Sequence, residues 1–231
     1  RVVTVKALEG LMKGSSRTAD KVSAASALGD IFGKGSVSFF GPCVWVRDKA
    51  ASAVEALTGA LRDELHPDVK ESAVRALGDI LGKASGNFRF EDLDSGDILG
   101  TGRLEDAMAQ AVAELAHGLK ATHTTDETLK VSIASALGDI LGKASGNFLD
   151  DFRDVTGKAL ASLRNLLSSS KQAVRDSAAL ALDKILGRAS GNFHDHFRVV
   201  TVKALEGLMK GSSRTADKVS AASALGDIFG K

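Results

Sequence analysis

Apolar residues recur with helical spacing along most of this chain. In the stretch HPDVKESAVRALGDILGK, residues 66–83, they fall at Val69, Ala73, Leu77 and Ile80, the pattern of an amphipathic helix with one buried face. Pro67 stands where the first turn of a helix tolerates proline. Four other stretches carry the same pattern and predict equivalent helices, called B helices here: 19–34, 124–143, 171–188 and 216–231.

A second helical pattern precedes the B helices. Residues 152–166 and 197–210 superpose on one another, and 47–65 and 104–119 are looser copies. These stretches predict A helices. The segments that join A to B contain GSSRTAD, HP, ATHTTDE and SSSK, which is the chemistry of turns and helix N-caps. The chain is therefore predicted to be all-α and built from helix hairpins.

One sequence motif organises the hairpins. ALGDILGKASGNF at 76–88 returns at 136–148, as ALDKILGRASGNF at 181–193, and as ALGDIFGK at 27–34 and 224–231. Recurrence at spacings of 43 to 60 residues indicates a solenoid, in which each unit packs on its neighbours. We predict one α-solenoid, an α-α superhelix of about five hairpins, spanning 1–231 with units at about 1–34, 47–88, 104–148, 152–193 and 197–231.

The first and last units are the same sequence. Residues 1–34 and 198–231 agree at all 34 positions, whereas the other units have diverged. Either the chain is a segment of a longer array with a large repeat of 197 residues, or one unit is an appended copy. Neither end has a polar capping repeat. On the first hypothesis, residues after Lys231 should resemble GSVSFFGPCVWV, and those before Arg1 should resemble ASGNFHDHF.

Several repeated positions predict structural roles. Each B helix keeps a basic residue seven positions before the motif leucine and a serine two positions later; the basic residues are Lys21, Lys70, Lys130, Arg175 and Lys218. The glycine of ASGNF is expected to end its helix in the left-handed conformation, at Gly86, Gly146 and Gly191. Two glycines spaced by four in the motif predict a smooth face for close helix contact.

The motif also repeats a pair of opposite charges. An aspartate stands four positions before a lysine in four units, at Asp30, Asp79, Asp139 and Asp227 before Lys34, Lys83, Lys143 and Lys231. This order is the favourable one for ion pairs along a helix. It predicts a ladder of solvated i, i+4 salt bridges.

Composition narrows the classes of partner. Aromatics are 5% and Tyr is absent, so the core is predicted to consist of Ala, Leu, Val and Ile in closely packed helices. Thirty basic residues face 29 acidic ones, and this balance does not favour nucleic acid or an anionic membrane. Apolar runs fall short of the roughly 20 residues that span a bilayer. We expect no nucleic acid partner, no membrane insertion, and a soluble, intracellular location.

No enzymatic constellation emerges from the motifs. GDILGKAS has the wrong glycine spacing for a phosphate loop and ends a helix instead of opening one. His194 and His196 lack a third ligand at suitable spacing, and Cys43, the only cysteine, lacks a nearby base and excludes an intrachain disulfide. We predict no catalytic residues, no cofactor and no metal, and expect that the protein is not an enzyme.

The B helices resemble a known repeat family. PDVKESAVRALGDIL at 67–81 and QAVRDSAALALDKIL at 172–186 are similar to the second helix of HEAT repeats. The resemblance implies a right-handed α-solenoid with B helices on the concave side, and basic B-helix residues that bond to turns of adjacent repeats. The 60-residue spacing, and Asp20 or Asp217 where the family has Val, depart from its pattern.

Three functions follow from these features. The first is a non-catalytic scaffold for a protein partner or for neighbouring repeats of a longer array, with Phe39, Phe40 and Trp45 of the apolar joint 35–46 as candidate contacts. The second is head-to-tail self-association into a filament or ring through the identical end units. The third is an enzyme like the HEAT-like bilin lyases, for which only the insertion 89–103 offers a site. A glycosylase-like activity would need a basic, aromatic groove that this sequence lacks.

Overall fold

The computed structural model describes residues 2–35, 44–63, 66–86, 101–120, 126–144 and 152–188, and part of 202–225. These residues contain helices and no strand, which confirms the all-α prediction. The described residues between 202 and 225 are all helical. The helices with assigned bounds are α1 (Val2–Gly14), α2 (Thr18–Gly29), α3 (Val44–Asp63), α4 (Pro67–Gly86), α5 (Thr101–Lys120), α6 (Glu127–Lys143), α7 (Arg153–Leu166) and α8 (Gln172–Arg188).

Local chemistry explains several helix ends. Asp126 caps α6, because its carboxylate accepts hydrogen bonds from the backbone N–H groups of Thr128 and Leu129 at 3.0 and 3.3 Å. Pro67 begins α4, as predicted. Helix α2 continues into a π-helical turn, Asp30–Lys34, which closes with a 2.9 Å bond from the N–H of Gly35 to the carbonyl of Asp30. The sequence had predicted an unbroken helix through this turn.

The helices form two layers. Helices α1, α3, α5 and α7 pack side by side as the A layer, and α2, α4, α6 and α8 pack side by side as the B layer. Each A helix also packs on the B helix that follows it. Leu57, Leu77, Leu115 and Leu137 are fully buried between the layers. This stacking of successive hairpins is the predicted solenoid.

The B helices approach one another through glycine. A Cβ added at Gly29 would lie 3.1 Å from Ala76, and one at Gly138 would lie 2.9 Å from the Cα of Ala181. The second glycine of the first three described motifs faces backbone of the next B helix, at Gly33, Gly82 and Gly142. A Cβ at Gly142 would lie 2.8 Å from the carbonyl oxygen of Lys184. The predicted smooth face is therefore confirmed. Side chains larger than hydrogen at these positions would separate the helices.

The A layer is joined by buried and exposed charges. The Nη2 of Arg47 lies 2.7 Å from Oε1 of Glu105, and both side chains are almost fully buried. Arg103 of α5 binds both carboxylate oxygens of Glu55 on α3, at 3.0 and 2.9 Å, and also contacts Asp48. The hydrogen bond from Lys49 and the charge of Arg103 lower the pKa of Asp48. Ion pairs thus supplement the apolar contacts between α3 and α5.

Two details differ from the sequence-based expectation. Gly86 does not end α4 in the left-handed conformation, because it is still part of the helix, with its Cα facing the backbone of Lys143. Gly146 and Gly191 lie outside the described residues. The i, i+4 pair forms between Asp30 and Lys34 at 3.0 Å, but Asp139 pairs at 2.9 Å with Lys184 of the next B helix. The ladder therefore runs partly between units.

The repeated basic residues occupy different environments. Arg175 is 4% exposed and donates to the carbonyl of Ser169 at 2.6 Å. That carbonyl lies in the turn of its own hairpin, whereas the family resemblance implied bonds to adjacent repeats. Lys21, Lys70 and Lys130 are half-buried, and Lys218 is exposed.

Candidate functional site

A groove of about 440 Å³ lies between two neighbouring helices of the B layer. All of its lining residues belong to α2 with its π-helical turn and to α4. They combine small side chains with charges of both signs: Val22, Ser26, Gly29, Lys34, Asp68, Glu71, Ser72, Arg75, Ala76 and Asp79. We call this the α2–α4 groove.

The base of the groove is formed by small residues. Gly29 and Ala76 bring the helices together, and the hydroxyl of Ser72 donates to the carbonyl of Val22 at 3.1 Å. The equivalent Ser177 donates to the carbonyl of Val131 at 3.1 Å. The serine repeated two positions after each basic residue thus bonds α4 to α2 and α8 to α6. The sequence showed this repetition, but it did not show the role.

Charged side chains surround the groove. Arg75 pairs with Glu71 at 2.5 Å, one turn away on α4. Lys34 pairs with Asp30 at 3.0 Å and reaches Asp79 across the groove at 3.7 Å. The hydrogen bond and charge of Asp30, followed by the charge of Asp79, raise the pKa of Lys34. Both cations hold positions beside carboxylates.

Lys83 attaches the π-helical turn to α4. Its ammonium donates to the carbonyl of Phe32 at 3.4 Å and to the carbonyl of Gly35. Burial lowers the pKa of this ammonium. Because Lys34 lies within the same turn, Lys83 helps to position the charged end of the groove. The motif had suggested Asp79 as the partner of Lys83, so this contact was not predicted.

The contacts predicted from the apolar joint are only partly within the structure. Phe39 and Phe40 lie outside the described residues. Trp45 is the second residue of α3, but its side chain is also outside them. Their assignment as partner contacts stays a prediction. The α2–α4 groove is a separate candidate, and no single motif in the sequence marked it.

In the described part of the chain, no three His, Cys, Asp or Glu side chains are grouped as metal ligands would be. None of the described helices is long and apolar enough to cross a membrane.

Comparison with known proteins places the fold. No protein-family profile and no curated protein matches the sequence. The complex of CpcE and CpcF of phycocyanin lyase from Nostoc sp. is similar over 97% of this chain and 99% of that chain, with 13% identity and a TM-score of 0.53. A HEAT-like repeats protein from Thermococcus onnurineus matches over 100% and 88% at 14% identity, TM-score 0.39. A designed armadillo repeat protein matches over 98% of each chain at 17% identity, TM-score 0.37.

The two-layer stacking and the likeness to the CpcE–CpcF complex define the class of protein. The chain is a helical-repeat α-solenoid, as the sequence predicted. At 13% identity the likeness describes the fold alone.

Proposed function

We propose that this chain is a non-catalytic interaction scaffold, and that its α2–α4 groove holds an extended segment of a protein partner. The observation that carries the proposal is the groove itself, about 440 Å³ in volume and lined only by B-helix side chains. The backbone N–H and C=O groups of an extended peptide have no partners within the peptide, so polar side chains along a groove can hydrogen-bond them. A groove with a small-residue base and polar walls suits that mode.

A partner can bind the charged side chains of the groove with little loss of stability in this protein. The side chains of Arg75 and Lys34 are 72% and 67% exposed, so solvent screens their present ion pairs and these contribute little to stability. A partner can replace those pairs with its own. Asp68, also exposed, makes no ion pair with a described residue. A basic side chain of the partner would therefore complement the Asp68 end.

The packing of the two layers supports the position of the groove. Glycine and alanine at the B-layer contacts let those helices approach closely, whereas the A-layer contact of α3 with α5 includes Arg47 and Glu105. A double layer that is more tightly spaced on one side bends toward that side. The groove would then lie on the inner, concave surface, where solenoid proteins present extended binding surfaces.

The test uses a library of peptides displayed on phage and the immobilised 231-residue chain. Selected peptides should contain basic residues, and their affinity should fall on the order of tenfold in the variant Asp68→Lys, because like charges then face each other. The matched control is Asp154→Lys, which reverses an exposed first-turn aspartate of α7 far from the groove. Selected peptides that bind both variants as well as the parent would refute the groove as the site.

The apolar joint is tested in the same assay. Alanine at Phe39, Phe40 and Trp45 should weaken binding only if the joint contributes to the partner surface. Peptides insensitive to these changes and also to Asp68→Lys would leave the scaffold proposal without a binding surface.

A further inference from the structure

The identical end units bury opposite faces. Ala25 is fully buried in the first unit, and its counterpart Ala222 is exposed in the last. Val22 is half-buried, while Val219 is 63% exposed. The opposite difference occurs at Leu8 of the first unit, which is half-buried, whereas its counterpart Leu205 in the last unit is fully buried. Because the sequences are the same, these differences reflect what lies beside each copy in the fold.

The face that α4 covers in the first unit is specifically matched to it. Gly29 contacts Ala76, Lys34 reaches Asp79 at 3.7 Å, and the carbonyl of Val22 accepts a hydrogen bond from Ser72. The last unit has the same sequence, so each first-unit residue of this contact has a counterpart there. The counterparts of Gly29, Lys34 and Val22 are Gly226, Lys231 and Val219. Those of Gly33 and Phe32 are Gly230 and Phe229.

We propose that the hairpin 198–231 of one copy of this chain docks on α3 and α4 of a second copy, in the place that α1 and α2 occupy in their own chain. The exchange recreates an interface that the fold already contains, with the same glycine contacts and the same pairing of a lysine with Asp79. It would cover Val219 and Ala222. Repetition of the exchange from copy to copy gives a head-to-tail assembly.

The chain's own first unit competes with this docking. It is tethered to α3 by the short connection 36–43, which gives it an effective concentration on the order of millimolar. At micromolar concentration the unexchanged form therefore predominates in the parent chain. Weakening the docking of α1 and α2 should favour exchange.

Identical sequences at the two ends provide matched variants. A Cβ at Gly33 would lie 2.5 Å from the Cβ of Asp79 and 2.8 Å from its backbone carbonyl carbon, so Gly33→Leu must displace the first unit from α4. Gly230→Leu makes the same change in the last unit. Molar mass is measured by light scattering across a dilution series, relative to the 24.0 kDa chain.

We expect Gly33→Leu to associate into multiples of 24.0 kDa at concentrations roughly tenfold or more below the parent, because overpacking weakens the competing contact. The double variant Gly33→Leu, Gly230→Leu should stay at 24.0 kDa. Absence of association in the single variant would overturn the proposal, as would association that persists in the double variant. Gly29→Leu with Gly226→Leu repeats the comparison with a milder clash, and circular dichroism verifies that each variant is helical.

Peptide binding distinguishes this inference from the proposed function. The exchange changes the size of the assembly, whereas the scaffold proposal concerns peptide affinity and its dependence on Asp68. Either proposal can fail while the other is retained.

Discussion

The close contact between α6 and α8 predicts that a larger residue at Gly138 lowers the stability of the fold. Gly138 lies within α6, and a Cβ added there would be 2.9 Å from the Cα and 3.0 Å from the Cβ of Ala181. Neither atom can rotate away, because both are fixed to the backbone of α8. The substitution Gly138→Ala therefore has to move one helix relative to the other.

Two opposing effects set the magnitude. Alanine gains up to about 1 kcal/mol over glycine within a helix. Overpacking a tight contact costs about 1–3 kcal/mol. The net expectation for Gly138→Ala is a loss of up to about 2 kcal/mol of stability.

Gly59 and Gly118 provide controls for this estimate. A Cβ at Gly59, in α3, has no other atom within 4 Å, so Gly59→Ala should gain up to about 1 kcal/mol. At Gly118 the nearest atom, at 3.0 Å, is the terminal Cδ1 of Ile133, which can move. The change in stability of Gly118→Ala should therefore lie between those of Gly59→Ala and Gly138→Ala.

The assay is thermal unfolding followed by circular dichroism, in the parent and the three variants. For a chain of this size, 1 kcal/mol shifts the midpoint by about 2–4 °C. Gly59→Ala should raise the midpoint and Gly138→Ala should lower it. Native-state hydrogen exchange should also show faster opening of the α7–α8 hairpin in Gly138→Ala, because stability in repeat arrays depends on the contacts between neighbours. If Gly138→Ala raises the midpoint as much as Gly59→Ala, the reasoning about close helix contact is refuted.

Three other predictions test single polar contacts. Ser85→Ala should destabilise by about 1 kcal/mol in urea unfolding, because it removes a buried 2.8 Å hydrogen bond from α4 to α6. Burial raises the pKa of Glu105 despite the adjacent Arg47, so the folded state holds this proton more tightly than the unfolded chain. Stability should therefore fall as pH rises from 4.5 through the raised pKa, and Glu105→Gln should remove that decline in unfolding measured against pH. Lys83→Met should speed hydrogen exchange at the Gly35 amide, because the π-helical turn loses its contact with α4.

Controls separate these effects from general damage. Ser168→Ala removes an exposed hydroxyl that bonds within its own turn, and it should change stability by less than about 0.5 kcal/mol. An unchanged pH profile in Glu105→Gln would contradict the role of burial at that carboxyl. Gly35 exchange that is unaffected in Lys83→Met would show that the turn is held by other contacts.

Helices, hairpins and their close packing were accessible from the sequence because each depends on local or repeated features. The spacing of Val69, Ala73 and Leu77 specifies a buried helix face, and Asp126 is a side chain suited to an N-cap. The paired glycines of the motif indicated a smooth face. Stacking of equivalent units then follows, since an amphipathic hairpin cannot bury its apolar surface alone.

The polar contacts between units were not accessible in the same way. The repeat predicted pairs within each helix, yet Asp139 bonds to Lys184 of the neighbouring helix and Lys83 bonds to backbone carbonyls. The close approach of the B helices places a partner on the next helix as near as one on the same helix. Which partner a flexible lysine selects therefore depends on interhelical distance, which no sequence period specifies.

The two identical copies of the 34-residue unit separate what the sequence determines from what the tertiary structure determines. The sequence by itself determined the helices of both copies, since every described residue of the last copy is helical and so is its counterpart in the first. It could not determine burial, because Ala25 is fully buried while the identical Ala222 is exposed. Helix formation follows from a residue's neighbours along the chain, but burial and the α2–α4 groove follow from which units are stacked beside it, and only the tertiary structure decides that.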